Sequence, residues 1–190
     1  MKKLILASNS PRRKDILLSA GFNFEIITSD YQEISFSVDP IETAKTFAYG
    51  KAQSVFNNLK DKSDVVVIGA DTVVYFDGEI LGKAKNDLDA KKMLKRLSGN
   101  THTVITGYSI ISENNCVNKY VESKVTFNKL SQKTIYGYVN CGHYKGKAGS
   151  YGIQDGFGLV KEYSGSLTNI IGLPIEEVEP LLKKFLNGEL

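Results

Sequence analysis

The chain has 190 residues, 42% of them apolar and none in a low-complexity tract, so it can bury a core as one domain or as two closely packed lobes. Its net charge of +3 is too small to imply general nucleic-acid binding, so any basic patch must be local. No run approaches the ~20 apolar residues of a membrane span, and the apolar start is broken by Ser8-Asn9-Ser10 short of the ~7–15 residues of a signal peptide, so a cytoplasmic protein is expected.

The apolar run 3–7 reads as a buried strand that leads into a helix over 11–20, ended by Gly21. Ser10 suits the N-cap and Pro11 the first helical position. A helix N-terminus prefers acidic side chains, yet Arg12, Arg13 and Lys14 crowd this first turn. Free N–H groups, the positive end of the dipole and two guanidinium forks describe a site for a polyanion, most simply phosphate, where open α/β sheets bind ligands. The plainer alternative makes the arginines surface charges. Residues 22–28 read as a second strand, parallel to the first, and 29–39 as a loop in which Glu33 alone would be a solvated carboxylate.

A long helix starts at Pro40 or Ile41, with Ala44, Phe47, Ala48, Ala52, Val55, Phe56 and Leu59 at spacings of three and four. Lys51 belongs to this face, where it either snorkels to water or is held near an anionic partner in a cleft. The run 65–69 is apolar on both faces, as a central parallel strand should be, and ends in Ala70-Asp71-Thr72. An aspartate at the end of such a strand lies where α/β enzymes place catalytic groups. A mere capping role is the weaker option, because residues 73–81 spell a hairpin with a type I′ turn at Asp77-Gly78. The returning strand delivers Lys83 near the level of Asp71.

A helix over 86–97 is closed by Gly99, with Lys91, Lys92, Lys95 and Arg96 on its solvated face. Strands are expected at 101–112 and 118–127, then a short helix from Ser131 to Val139 and a glycine-rich stretch, 142–158, where backbone can approach a ligand closely. A last strand over 166–173 precedes a final helix opened by Pro174, with Glu176 and Glu177 in its first turn and Pro180 expected to kink it. Cys116 and Cys141 lack CxxC spacing and should be reduced thiols, and His102 and His143 are isolated, so neither is assigned a metal. With no GxxxxGK[ST] loop and no GxGxxG between strand and helix, a P-loop NTPase or dinucleotide-dependent oxidoreductase is not expected.

Taken together, Arg12, Arg13, Lys51 and Lys83 as cations with Glu33 and Asp71 as carboxylates have the division of labour that phosphoryl chemistry needs. Cations offset the charge of a polyphosphate, while carboxylates hold a divalent metal or orient a water. At these residues the chain resembles the Maf proteins, a family of nucleoside triphosphate pyrophosphatases, over nearly its whole length. The matching segments are Ala7-Ser8-Asn9-Ser10-Pro11-Arg12-Arg13, Glu33, Lys51-Ala52, Gly69-Ala70-Asp71-Thr72-Val73-Val74, Gly82-Lys83, Leu97-Ser98-Gly99, Lys147-Ala148-Gly149 with Tyr151-Gly152-Ile153-Gln154, and Gly172-Leu173-Pro174.

The resemblance implies a single α/β domain over 1–190 with an elongated, mixed-sheet Maf/ITPase-like fold and two lobes around a central cleft. It also implies dependence on a divalent metal cation, Mg²⁺ or Mn²⁺, and cleavage of a nucleoside triphosphate to monophosphate and diphosphate. Asp71 matches the family's proposed general base, and Glu33, Lys51 and Lys83 match its catalytic cluster. Glu33 and Asp71 would hold the metal, and Ser8, Arg12, Arg13, Thr72 and Gln154 would bind substrate. Arg12, Thr72 and Gln154 match the branch acting on dTTP and UTP; a sister branch acting on 7-methyl-GTP has tryptophan, glutamine and glutamate there. An amide can both donate and accept, as a pyrimidine edge requires.

Two positions depart from the pattern. Ala84 replaces a proline, loosening the backbone after Lys83, and Asp155 replaces a glycine, adding a negative charge beside the presumed base contact. The substrates implied are ordinary or modified pyrimidine nucleotides, with no nucleic-acid or membrane partner and a homodimer left open. A different class of function also attached to the family is the rival, a nucleotide-sensing regulator of cell division that acts by binding.

Overall fold

The computed structural model describes residues 2–34 and 39–190, so positions 35–38 of the expected loop lie outside the described residues. The chain opens with β1 (Lys3–Leu6), α1 (Pro11–Ser19) and β2 (Glu25–Ile26), and β1 and β2 are parallel as expected. The second strand is far shorter than the run 22–28. Only Glu25 and Ile26 pair with β1, at Ile5 and Leu6. Ser10 stands at the N-cap of α1 but makes no side-chain cap bond; its own N–H instead donates to Ser8 Oγ at 3.2 Å.

The second helix, α2 (Pro40–Asn58), is capped by Asp39, whose carboxylate accepts from the N–H groups of Ile41 and Glu42 at 2.8 and 3.4 Å. Its Ala44, Ala48 and Ala52 are fully buried against the sheet. There follow β3 (Val65–Phe76), β4 (Glu79–Leu81), α3 (Asp87–Leu97), β5 (Thr101–Ile111) and β6 (Cys116–Phe127). The β3–β4 turn has positive φ at Asp77 and Gly78, as a type I′ turn requires. The chain ends with α4 (Gln132–Asn140), a 3₁₀ turn at Ile153–Asp155, β7 (Val160–Ser164), α5 (Leu167–Ile171) and α6 (Ile175–Asn187), which runs through Pro180 without interruption. Among the described residues, no helix is long and apolar enough to cross a membrane.

Among the described residues one mixed seven-stranded sheet results, in the order β2-β1-β3-β5-β6-β7, with β4 also paired to β3. Within it β3 is a single twelve-residue strand, so Asp71 lies in mid-strand rather than at a strand end. One edge of β3 pairs with β1 at residues 65–68 and with β4 at 74–76. Between them, no strand among the described residues covers 69–73 on that edge, while β5 pairs continuously along the other. Asp71 is thus exposed to a cleft by the shortness of β1, not by the end of its own strand.

Alternation along β3 and β5 sorts what each face meets. On one face, Val66, Ile68, Ala70, Tyr108 and Ile110 join α1 and α6 in an apolar cluster, and Val74 and Val104 join α3 and α4 in another. Thr72 and Thr106, directly paired, form the seam between these clusters. On the opposite face α2 lies flush on the sheet: a Cβ at Gly69 would sit 2.5 Å from Ala48 O, and one at Gly107 2.4 Å from Ala44 O.

The stretch 166–173, expected as a strand, forms the short helix α5. Ser166 Oγ caps it by accepting from the Asn169 N–H at 3.0 Å, and Gly172, at φ +130°, ends it. The two stops outweigh the strand preference of Thr168, Ile170 and Ile171. The strand β7 was not anticipated, because as an exposed sheet edge it carries almost no apolar signal. Cys116 and Cys141 are free, in accord with the expectation.

Candidate active site

Asp71 is only 6% exposed and points to the α2 side of the sheet. Lys51 sits one residue before Ala52, which packs over Gly69, so the flush seating of α2 brings its ammonium group down onto Asp71. Lys51 Nζ is 2.6 Å from Asp71 Oδ1 and 2.7 Å from Glu33 Oε1, bridging the two carboxylates. Lys83 Nζ lies 3.6 Å from the other oxygen of Glu33. Lys51 is therefore held on anionic partners, the second of the two readings its position allowed. Removing the lysine would strip Asp71, whose side chain is only 9% exposed, of its ion-pair partner at a cost of ~3–5 kcal/mol.

Glu33 reaches this cluster because its loop is pinned to α2. The Tyr31 ring covers Gly50 so closely that a Cβ there would be 2.4 Å from it, and it meets Phe47 edge-on at 6.3 Å. Ser54 of α2 also donates a hydrogen bond to Asp30. Burial pushes the Glu33 carboxyl upward, but the hydrogen bond and charge of Lys51, with those of Lys83, outweigh it and hold the group below its ordinary value. Lys83 is itself fastened: it bridges to Ala148, and the Gly149 N–H donates to Leu81 O and Gly82 O at 3.1 Å each. The segment that Ala84 was expected to loosen is thus tied from 148–149.

On the other face of the sheet, Arg13 is partly buried at the seam. Its Nε donates to Gly172 O at 2.8 Å, Nη1 to Ser8 Oγ at 3.2 Å and Nη2 to Thr72 Oγ1 at 3.2 Å. Burial lowers its affinity for the proton, opposed by the charge of Asp71, and the guanidinium stays protonated. Thr106 gives its hydroxyl proton to Asn169 O at 2.9 Å, so the 2.9 Å contact between Thr72 and Thr106 is a donation from Thr72. Asn169, fully buried, accepts from Thr106 N–H at 3.1 Å and donates to Val104 O at 3.1 Å and Ser123 Oγ at 2.9 Å. A chain of oriented donors therefore runs from α5 through Thr106 and Thr72 to Arg13. The two arginines are not equivalent: Arg13 is anchored, whereas Arg12 reaches across to Gly146 O through one long contact of 3.5 Å.

The third wall comes from the glycine-rich stretch. Lys147 Nζ lies 2.5 Å from Asp155 Oδ2, which also accepts from the Tyr138 hydroxyl at 2.5 Å, so the negative charge of Asp155 is paired rather than free beside Gln154. Asp71, Glu33, Lys51, Lys83, Ser8, Arg12, Arg13, Thr72 and Gln154, all nine predicted site residues, line one cleft of about 490 Å³. Lys147 and Tyr151, which match the family pattern without an assigned role, also line it. Density of glycine and the family match over 147–154 mark that wall in the sequence, and nothing local marks Tyr31 or Asn169. The cleft combines cations fit for a polyphosphate with two carboxylates. Their hard oxygens suit Mg²⁺ or Mn²⁺, although no group of three or more His, Cys, Asp or Glu meets among the described residues.

Comparison with known proteins agrees with this chemistry. The profile of the family described as Maf-like protein matches residues 3–185. A protein of Bacillus thuringiensis subsp. konkukian (strain 97-27) named dTTP/UTP pyrophosphatase is 43% identical over 187 residues, covering 97% of this chain and 96% of the relative. Proteins of the same name from Bacillus cereus (strain ATCC 10987 / NRS 248) and Bacillus anthracis are also 43% identical over 97% of this chain, covering 91% and 96% of their own lengths.

Proposed function

The chain belongs to the Maf family, and on that premise we propose that it is a nucleoside triphosphate pyrophosphatase, a cytoplasmic hydrolase converting dTTP and UTP to the monophosphate and diphosphate. One observation carries the reading: the cations of the α1 turn and the Glu33–Lys51–Asp71 cluster face the same cleft at the uncovered edge of β3. Neither half alone distinguishes a hydrolase from an anion-binding protein.

Arg12, Arg13 and Lys83 offset the charge of the triphosphate, and Ser8 and Thr72 hold Arg13 in place for it. The oxygen of the attacking water bonds to the α-phosphorus, the bond to the bridging oxygen of the β-phosphate breaks, and diphosphate leaves with that electron pair. Asp71 takes the proton from the water. Lys51 keeps both carboxylates in register. A divalent cation would supply further charge neutralisation on the triphosphate; Glu33 and Asp71 would hold it, with phosphate oxygens and waters completing its shell, as is usual for Mg²⁺.

The test is product identification from a panel of nucleoside triphosphates with Mg²⁺ or Mn²⁺. Monophosphate plus diphosphate, fastest from dTTP or UTP, is expected. Nucleoside diphosphate plus phosphate would overturn attack at the α-phosphorus, and binding without turnover would support the regulatory role instead.

A further inference from the structure

Around Gln154 the cleft wall is braced from behind. The Gly152 N–H donates to the Tyr138 hydroxyl at 3.1 Å, and that hydroxyl donates to Asp155 Oδ2 at 2.5 Å. The Asp155 N–H in turn donates to Gly152 O at 3.2 Å. Residues 152 and 155 are therefore tied twice, once through the backbone and once through a single tyrosine oxygen, with Gln154 between them. The anchor is itself fixed, since Tyr138 is buried in α4 and meets Phe157 edge-on at 5.2 Å. Burial, reinforced by Asp155, pushes the Tyr138 hydroxyl far above its ordinary value, so it remains a donor.

Asp155 Oδ2 also holds Lys147 Nζ at 2.5 Å, with the two side chains only 9% and 12% exposed. Lys147 and Gln154 line the cleft, whereas Asp155 stands behind them. A lysine free at this wall would compete for the triphosphate with the cations of the α1 turn and Lys83.

We propose that Asp155 is a positioning residue for nucleobase recognition. Through Tyr138 it fixes the turn that presents Gln154, and through Lys147 it cancels a cation that would otherwise compete for the triphosphate. The inference rests on the reading that the cleft takes a pyrimidine nucleoside triphosphate, with Gln154 at the base.

The test is steady-state kinetics of the full chain with dTTP and CTP, for the parent, Asp155→Asn, Tyr138→Phe, Gln154→Ala and the double variant Gln154→Ala/Asp155→Asn, each with its melting temperature. Asp155→Asn and Tyr138→Phe should each lower kcat/KM for dTTP by about tenfold, the loss carried by KM, and compress the dTTP-to-CTP preference by a similar factor. In the Gln154→Ala background, Asp155→Asn should change that preference by less than about twofold. A preference that survives both single variants while the melting temperature falls would overturn the proposal, leaving Asp155 a merely structural brace. So would an effect of Asp155→Asn equally large without Gln154. A parent protein that shows no base preference would overturn the substrate reading itself, and that appears before any variant is made.

Discussion

Asp71→Asn keeps the shape of a side chain that is 6% exposed and leaves Lys51 its second partner, Glu33, at 2.7 Å. It removes the proton acceptor, so kcat should fall by about 100-fold or more while the melting temperature changes little. Single-turnover kinetics and a thermal scan check the two halves of that statement. At the same scale, His102 supplies a pH dependence unrelated to catalysis. The ring is 2% exposed, shares a 2.7 Å hydrogen bond with the Tyr151 hydroxyl and, among the described residues, finds no partner for Nδ1. Burial lowers its pKa to about 4 from the ordinary 6.5. Between those values the unfolded chain binds a proton that the folded chain refuses, so stability falls as pH falls through this window. From pH 7 to pH 5 the loss from this one group should be about 2 kcal/mol, and His102→Gln should remove that part of the slope in urea unfolding. Glu33, whose pKa is depressed, works in the same direction at lower pH: its contribution is present above the ordinary carboxylate value and is lost as pH falls through the folded one.

The element that matters most to the site is α2, because its seating decides where Lys51 ends. A Cβ added at Gly107 would meet Ala44 O at 2.4 Å, a backbone atom that cannot swing aside. Gly107→Ala should therefore lift the helix from the sheet, destabilise the fold by about 1–3 kcal/mol and lower kcat through a displaced Lys51. Chemical denaturation and kinetics on the one variant test this; unaltered activity at reduced stability would separate the helix from the chemistry. The helix was legible in its own residues, since Ala44, Ala48 and Ala52 recur on one face and Asp39-Pro40 starts it. The misread element, α5, has five residues, too few for a periodic pattern to appear. Its identity rests on caps and on Asn169, whose partners Val104, Thr106 and Ser123 lie 46 to 65 residues away.

Across the whole molecule, the cleft opens where two apolar clusters on one face of the sheet give way to a polar seam of Thr72, Thr106 and Asn169. A ligand spanning that cleft touches elements from both clusters and should stabilise them together. A non-hydrolysable dTTP analogue at about 100 times its Kd should add ~2.7 kcal/mol and raise the melting temperature of a chain this size by about 5–10 °C in one cooperative transition. Two transitions, only one of them shifted, would instead mean that the clusters unfold independently.

The features legible along the chain are local or carried in motifs: the run that forms β1, the phosphate-seeking turn before α1, the amphipathic α2, the β3–β4 hairpin and the residues that match the Maf pattern. Each depends on neighbours within a few positions, or on a combination of residue types that marks a family, and so survives in a linear reading. Only the tertiary structure decided that Asp71 is uncovered in mid-strand, because that depends on how far β1 and β4 extend beside β3. It likewise decided that Lys51 bridges Glu33 and Asp71, that Arg13 is anchored at Ser8, Thr72 and Gly172 while Arg12 is not, and that Lys147 cancels Asp155. A buried charge must find its counter-charge wherever the packing of distant elements delivers one, and no local pattern records that delivery.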